Sequence, residues 1–259
     1  MEWHDIAFVV AARRHGESGV IVELLTSGHG RHAGLVHGGQ SPKLRAVLQP
    51  GNEVAAVWRG RLNEHLGTIA CELLRPHAAG MIDDPDRLAG LAAAAALVAA
   101  ALPEREPAPN LFISFRSLLQ ALDSAPDWPA RYVGWERDLL AALGFGLDLG
   151  RCAVSGVTTD LAYVSPRTGR AVSRAAGLQY HDKLLSLPGF LSRDEPADPR
   201  QIALGMVLTE HFLVHHVFAL QGRSLPAARR RLAERMQRAA AASGNDTLAR
   251  TAGEGRPSP

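Results

Sequence analysis

Between Ile6 and Arg61 the chain alternates short apolar runs with glycine-bearing turns, and no other stretch restricts its fold as much. Ile6, Phe8, Val10 and Ala12 alternate with residues free to face outward, the period of a half-buried strand. Arg13, Arg14, His15 and Gly16 read as the polar turn that follows. Val20 to Thr26 is a second run, rich in β-branched residues. Ser27-Gly28-His29-Gly30 reads as a turn, because glycine reaches positive φ without steric cost. Arg31 to His37 gives a third strand, Glu53 to Trp58 a fourth and Leu66 to Leu74 a fifth. Five short strands punctuated by glycine predict a small closed barrel, and the five-stranded OB-fold is the candidate of that size.

The rest of the chain changes period. Arg75-Pro76-His77 ends the last strand, since proline removes a ladder donor, so the barrel is expected over residues 1–79. Asp84-Pro85 opens a helix, with Asp84 as N-cap and Pro85 at the first helical position. Leu91, Ala95, Val98 and Leu102 make its buried stripe. Leu111, Phe115, Leu118 and Leu122 repeat at helical spacing, as do Tyr132, Trp135, Leu139 and Leu143. Gly144 and Gly146 mark the end of that helix. Residues 148–178 lose the period and read as an insert. Asp198-Pro199 opens another helix, and Leu225 to Ala240 is a further, arginine-rich one. Past Ser243 the sequence is small, polar and proline-tipped, and disorder is expected over 241–259. Strands first and helices afterwards predict an α+β chain: the barrel, then a helical domain over 80–240 interrupted by the insert.

A length of 259 residues suits two domains. The net charge of +2 does not by itself announce nucleic acid, so any basic surface must come from clustering. Cys71 and Cys152 cannot build a disulfide framework, which suits a reducing compartment. MEWHDIAFVV has no basic n-region before a long apolar core, so no signal peptide is read. The apolar run Leu88 to Leu102 falls short of the ~20 residues that span a bilayer. A cytoplasmic protein is expected.

Basic residues concentrate in the barrel: Arg13, Arg14, Arg31, Lys43, Arg45, Arg59 and Arg61. They stand at strand ends, turns and a connection, where several could converge on one groove that tracks phosphates. The alternative is scattered solvated charge, offset by Glu17, Glu23, Glu53 and Glu64. Trp58 beside the basic turn could stack a base, although a place in the barrel core suits it better. Few aromatics in the barrel favour backbone contact over base reading. His211 and His215 stand four apart with Glu210 beside them, but the sequence is not H-E-x-x-H, and core or surface histidines explain them. A P-loop and G-x-S-x-G are absent, and no nucleophile–base set appears. Arg223, Arg229, Arg230, Arg231, Arg235 and Arg238 make the last helix basic, as either a solvated face or a DNA contact.

Several motifs carry a family resemblance. Glu17, Thr26, Gly30, Gly34-Leu35-Val36, Gly38, Leu48-Gln49-Pro50-Gly51 and Leu66-Gly67 resemble, in order and spacing, the N-terminal part of the RecO family of bacterial DNA repair proteins. Leu143-Gly144, Leu147-Asp148-Leu149, Cys152 and Phe190-Leu191 extend the likeness over roughly residues 1–235. The resemblance implies a non-enzymatic mediator of repair and recombination. Such a protein binds single-stranded DNA, promotes strand annealing and, with RecR and the single-strand-binding protein, helps RecA load. It also implies a helical-domain groove for the acidic, hydrophobic-ended tail of the single-strand-binding protein, with Arg116 and Arg131 as expected rim residues. The other reading is a protein-interaction module of a repair complex, with weak or indirect DNA contact. Many relatives carry two cysteine pairs in the insert, suited to tetrahedral zinc. Here Cys152 keeps the first position, Ser155 replaces the second, and Ser173 and Ala176 fall where the other pair would lie. One thiolate cannot make the site, so neither zinc nor any other cofactor is expected. Arg151, Arg167, Arg170 and Arg174 would then make the insert either a second basic surface or an ordinary solvated loop.

Overall fold

A computed structural model describes residues 1–62, 65–193 and 195–253, with side chains described as far as 243. Glu64 and residues 254–259 lie outside the described residues. Strands β1 (Glu2–His15), β2 (Gly19–Thr26), β3 (Arg31–Val36), β4 (Glu53–Arg59) and β5 (Thr68–Arg75) close a barrel in the order β1-β2-β3-β5-β4. That order, with helix α1 (Pro42–Val47) between β3 and β4, is an OB-fold. All the neighbouring pairs are antiparallel except β3 with β5, which meet in parallel at Leu35 and Thr68. The fifth strand starts later than the sequence suggests, at Thr68, because Gly67 lies at φ +62°, outside the strand region.

Strand β1 departs from the half-buried pattern. Ala7, Phe8, Val9 and Val10 are all buried, while Ile6 is exposed. The reason is that the middle of β1 has apolar matter on both faces. Ala7 and Val9 join the barrel core with Val22, Leu24, Val54 and Trp58. Phe8 and Val10 join the helical core with Leu25, Phe112 and Phe115. The barrel wall is therefore also the floor of the helical part. The strand also runs on through Arg13 and Arg14 to His15, paired with β2, where the sequence suggested a turn.

The helical part opens with the short α2 (His77–Gly80) and continues through α3 (Pro85–Ala101), α4 (Pro109–Ser124) and α5 (Trp128–Ala142). Asp84 caps α3 by accepting from the Asp86 and Arg87 amides, and Pro85 occupies its first turn. The insert folds as β6 (Leu161–Val164), β7 (Ala171–Ser173), α6 (Arg174–Gly177) and β8 (Leu185–Ser186), a sheet in the order β7-β6-β8. After α7 (Gly189–Ser192), the Asp198 side chain caps α8 (Pro199–Phe212). That helix widens into π-helical turns over Leu213–Phe218. Pro199–Gln221 is long and apolar enough to cross a membrane by length and composition, but half of its apolar window is buried among the other helices. Helix α9 (Ala227–Gly253) continues past residue 240, where the sequence suggested that order ends. The alanine run 239–242 has high helix propensity and extends it.

Candidate nucleic-acid interface

The seven basic barrel residues do not converge on one groove. The pairing of β1 separates them, since Glu2 stands opposite Arg59 while Arg13 and Arg14 stand opposite Ile21 and Val20. Arg13, Arg14 and Arg45 line one cleft, Arg59 lines a separate groove with His37 and Leu44, and Lys43 is exposed on α1 beside Leu44.

The first cleft, of about 350 Å³, lies between the end of β1, the β3–α1 connection and the C-terminal side of α1. Arg13, Arg14, Gln40, Arg45 and Gln49 line it, over a floor that includes Val20 and Leu48. The Arg14 Nε donates to Gln40 Oε1 at 2.7 Å, and the Gln40 amide donates to the Gly16 and Gly19 carbonyls at 3.1 and 3.0 Å. That chain of bonds pins the connection to the β1–β2 turn. Gly39 has to be glycine, because a Cβ there would lie 2.8 Å from the Val20 Cβ. Across the cleft, Asn52 donates to the Ala46 and Val47 carbonyls and closes the end of α1. Arg13, Arg14, Lys43 and Arg45 are exposed, and none of them has an ion pair among the described residues. Unpaired cations on a fixed rim suit a polyanion better than a single buried ligand.

Of the seven, Arg31 and Arg59 are engaged. The Arg31 guanidinium is only 13% exposed, salt-bridged to Glu23 at 2.6 Å and donating to the Leu102 carbonyl at 2.9 Å. It ties the barrel to the segment after α3 and does not present itself to a strand of DNA. Arg59 is exposed but lies against Glu2, with Nε and Nη2 each 3.0 Å from a carboxylate oxygen. Arg61 is exposed with no ion pair among the described residues. Trp58 is a core residue: fully buried, with its indole N–H donating to the Leu66 carbonyl at 3.0 Å.

The two expected rim residues of the helical groove also separate. Arg116 pairs with Glu53 at 2.7 Å, and its guanidinium lies over the Phe8 and Phe112 rings, so it bridges barrel and helices. Arg131 lines an open groove of about 430 Å³ between α4 and α5, together with Ile113, Leu118, Trp135 and Arg137. Ile113 is 60% exposed there, and the buried Trp135 indole N–H has no acceptor among the described residues.

The insert packs around Cys152, together with Leu161, Val164 and Ala171. The buried Cys152 sulfur accepts from the Ser155 amide at 3.5 Å and the Ser173 amide at 3.3 Å. Burial alone would push its thiol up; hydrogen bonds from Ser155 and Ser173 outweigh it and bring the pKa down to about 6. A single sulfur facing serine and alanine does not fit tetrahedral zinc. Two of the insert arginines are engaged, Arg170 with Asp148 and Arg174 with Asp160. On the last helix Arg229 is wholly buried and Arg235 pairs with Asp86, while Arg230, Arg231 and Arg238 stay exposed. His211 and His215 stack on each other at 4.3 Å, and His211 holds the Pro166 carbonyl at 3.2 Å, a structural role.

An OB barrel packed through its own wall on a helical part that carries a small three-stranded insert defines a two-part α+β protein. The sequence matches Recombination protein O N terminal over residues 1–77 and Recombination protein O C terminal over 82–226. The chain belongs to the RecO family. It is 54% identical over 246 residues to the DNA repair protein RecO of Rhodospirillum centenum, covering 94% of this chain and 98% of that protein. It is 52% identical to the DNA repair protein RecO of Rhodospirillum rubrum over 249 residues, 93% and 99% of the two chains. The same name belongs to a protein of Phenylobacterium zucineum, 52% identical over 240 residues, 92% and 99% of the two.

Proposed function

We propose that this chain is a DNA repair mediator that binds single-stranded DNA through the cleft of Arg13, Arg14 and Arg45, with Lys43 on the adjoining α1. The observation that carries the reading is that cluster: three exposed arginines on a pinned rim, with Lys43 exposed on the adjoining α1, and no carboxylate partner for any of the four among the described residues. Phosphate contacts hold a strand without reading its sequence. Covering phosphates lowers the repulsion between two strands, which is what annealing requires, and no bond has to be made or broken. The α4–α5 groove suits the tail of the single-strand-binding protein: Ile113 is an exposed apolar anchor, and Arg131, held by Asp127 at 3.0 Å, is a rim cation. RecR and, through it, RecA are the further partners that family membership supports. The cytoplasm is the compartment for such work.

The test is single-strand binding across a salt series. Four phosphate contacts correspond to a slope of log affinity against log salt of about −3. A slope near zero, or affinity unchanged in R13A/R45A that still folds, would favour the reading in which the chain only holds protein partners.

A further inference from the structure

The barrel end that holds Arg59 and Arg61 carries a second feature, which the DNA cleft does not use. Three aromatic rings stack outward through the barrel mouth. The innermost is Trp58, fully buried. Trp3 lies nearly parallel to it, with centroids 6.0 Å apart and planes 13° apart. The His29 imidazole lies on Trp3, with centroids 4.3 Å apart and planes 11° apart. His32 meets both tryptophans edge-on and locks them from the side.

The outermost ring is held unusually firmly for a side chain in a turn. Its Nδ1 lies 3.0 Å from Asp5 Oδ2. Asp5 is in turn fixed by the Ser27 hydroxyl and by the Gly28 and Ile6 amides. The turn itself is closed by Thr26, whose hydroxyl accepts from the His29 amide and donates to the Gly30 carbonyl, both at 2.9 Å. Gly30 is packed on Glu106, with no room for a Cβ. Trp3 covers one face of the imidazole and Asp5 takes one edge, yet the side chain is 38% exposed. Arg61, unpaired among the described residues, follows β4 at this same end, and the Met1 ammonium is held there on the Gly60 carbonyl.

A flat ring, rigidly oriented and 38% exposed, at a barrel end that also carries Arg61 and the Met1 ammonium, fits a nucleobase with its phosphate. We propose that His29, backed by Trp3 and Trp58, is a stacking platform for one base of a single strand. The inference rests on the DNA-binding reading above and extends the strand from the basic cleft to the opposite end of the barrel. Stacking acts on the base and not on the backbone, which separates it from the contacts made by the cleft.

The experiment compares wild type, H29Q and H29F on oligothymidylate and on an abasic oligonucleotide of equal length, with melting temperature as the folding check. Glutamine retains a hydrogen-bonding partner for Asp5 but offers no ring, whereas phenylalanine keeps the ring. H29Q is expected to bind oligothymidylate about five- to tenfold more weakly and the abasic strand within twofold of wild type, with H29F close to wild type on both. Equal losses on both strands, or no loss on either, overturn the platform and leave the cleft standing. Wild-type protein that binds neither strand overturns both. If H29Q does not fold, the wild-type preference for thymidylate over the abasic strand decides: a preference kept in H29F supports the platform, and none in wild type overturns it.

Discussion

Arg229 near the start of α9 and Glu136 on α5 form an ion pair that is wholly buried on both sides. The guanidinium takes both carboxylate oxygens and also donates to the Met206 carbonyl at 2.8 Å, while Glu210 engages its remaining nitrogen at 3.2 Å. Burial works against the Arg229 charge, but Glu136 outweighs it and its pKa is pushed up. One arginine thus clamps α5, α8 and α9 together.

Removing one partner leaves the other as an uncompensated buried charge, which costs about 3–5 kcal/mol. R229M is expected to lose that much in urea denaturation. E136M/R229M should recover most of it, because two apolar side chains of similar volume fill the same space. A loss under about 1 kcal/mol in R229M would show that the pair does not hold the helices.

His32 supplies an acid sensitivity to the barrel. His32 is 3% exposed, neither ring nitrogen has a partner among the described residues, and burial, aided by the Arg105 charge, depresses its pKa to about 4. The folded state therefore refuses a proton that the unfolded chain accepts below its ordinary value near 6.5. Stability is unaffected above that value and is lost as pH falls toward 4. Between pH 7 and pH 5 the loss is about 2 kcal/mol. H32F should flatten that part of the pH profile of unfolding, and an unchanged profile would rule His32 out as its source.

Much of the fold was legible in the sequence for local reasons. Glycine turns and apolar alternation mark the strands, and Asp84-Pro85 and Asp198-Pro199 are capping signals complete within a few residues. What escaped depends on partners far away in the chain. Phe8 and Val10 are buried because helices cover the outer wall of the barrel. Arg229 looks like its solvated neighbours Arg230 and Arg231 until Glu136, 93 residues away, is found beneath it. The site shows the same division. Arg13, Arg14, Lys43 and Arg45 could be picked by charge, but their separation from Arg59 follows from strand register. Trp3 and His29 are 26 positions apart, and only the return of β2 against β1 stacks them.

Cys152 is expected to titrate as an unusually acidic thiol. Thiolate absorbance near 240 nm should rise with a midpoint near pH 6 and vanish in C152S, because burial holds the other thiol, Cys71, near 12. A depressed thiol pKa adds stability that is complete above the ordinary thiol value and is lost as pH falls through 6. The insert should therefore loosen at pH 5, seen as faster amide exchange at Ser155 and Ser173. Chelator-washed protein should carry no stoichiometric zinc, and a retained equivalent would contradict the donor set.

The last expectation concerns Arg59 and its partner. Arg59 and Glu2 are both exposed, and each draws the other's pKa outward, the carboxyl down and the guanidinium up, chiefly through their hydrogen bond. A phosphate that reaches Arg59 must displace Glu2 and approach a carboxylate. The R59A variant should therefore change single-strand affinity little, whereas R13A/R45A removes two unopposed cations and should reduce the salt slope by roughly 1.4. E2Q gives the opposite sign: it frees Arg59 and deletes a repulsive charge, so affinity should rise and the slope steepen by about 0.7. Surface substitutions of this kind usually stay within about ±0.5 kcal/mol of wild-type stability, so melting temperatures should barely move. If R59A weakens binding as much as R13A/R45A, the strand contacts both ends of the barrel equally, and the neutralisation of Arg59 by Glu2 does not govern its use.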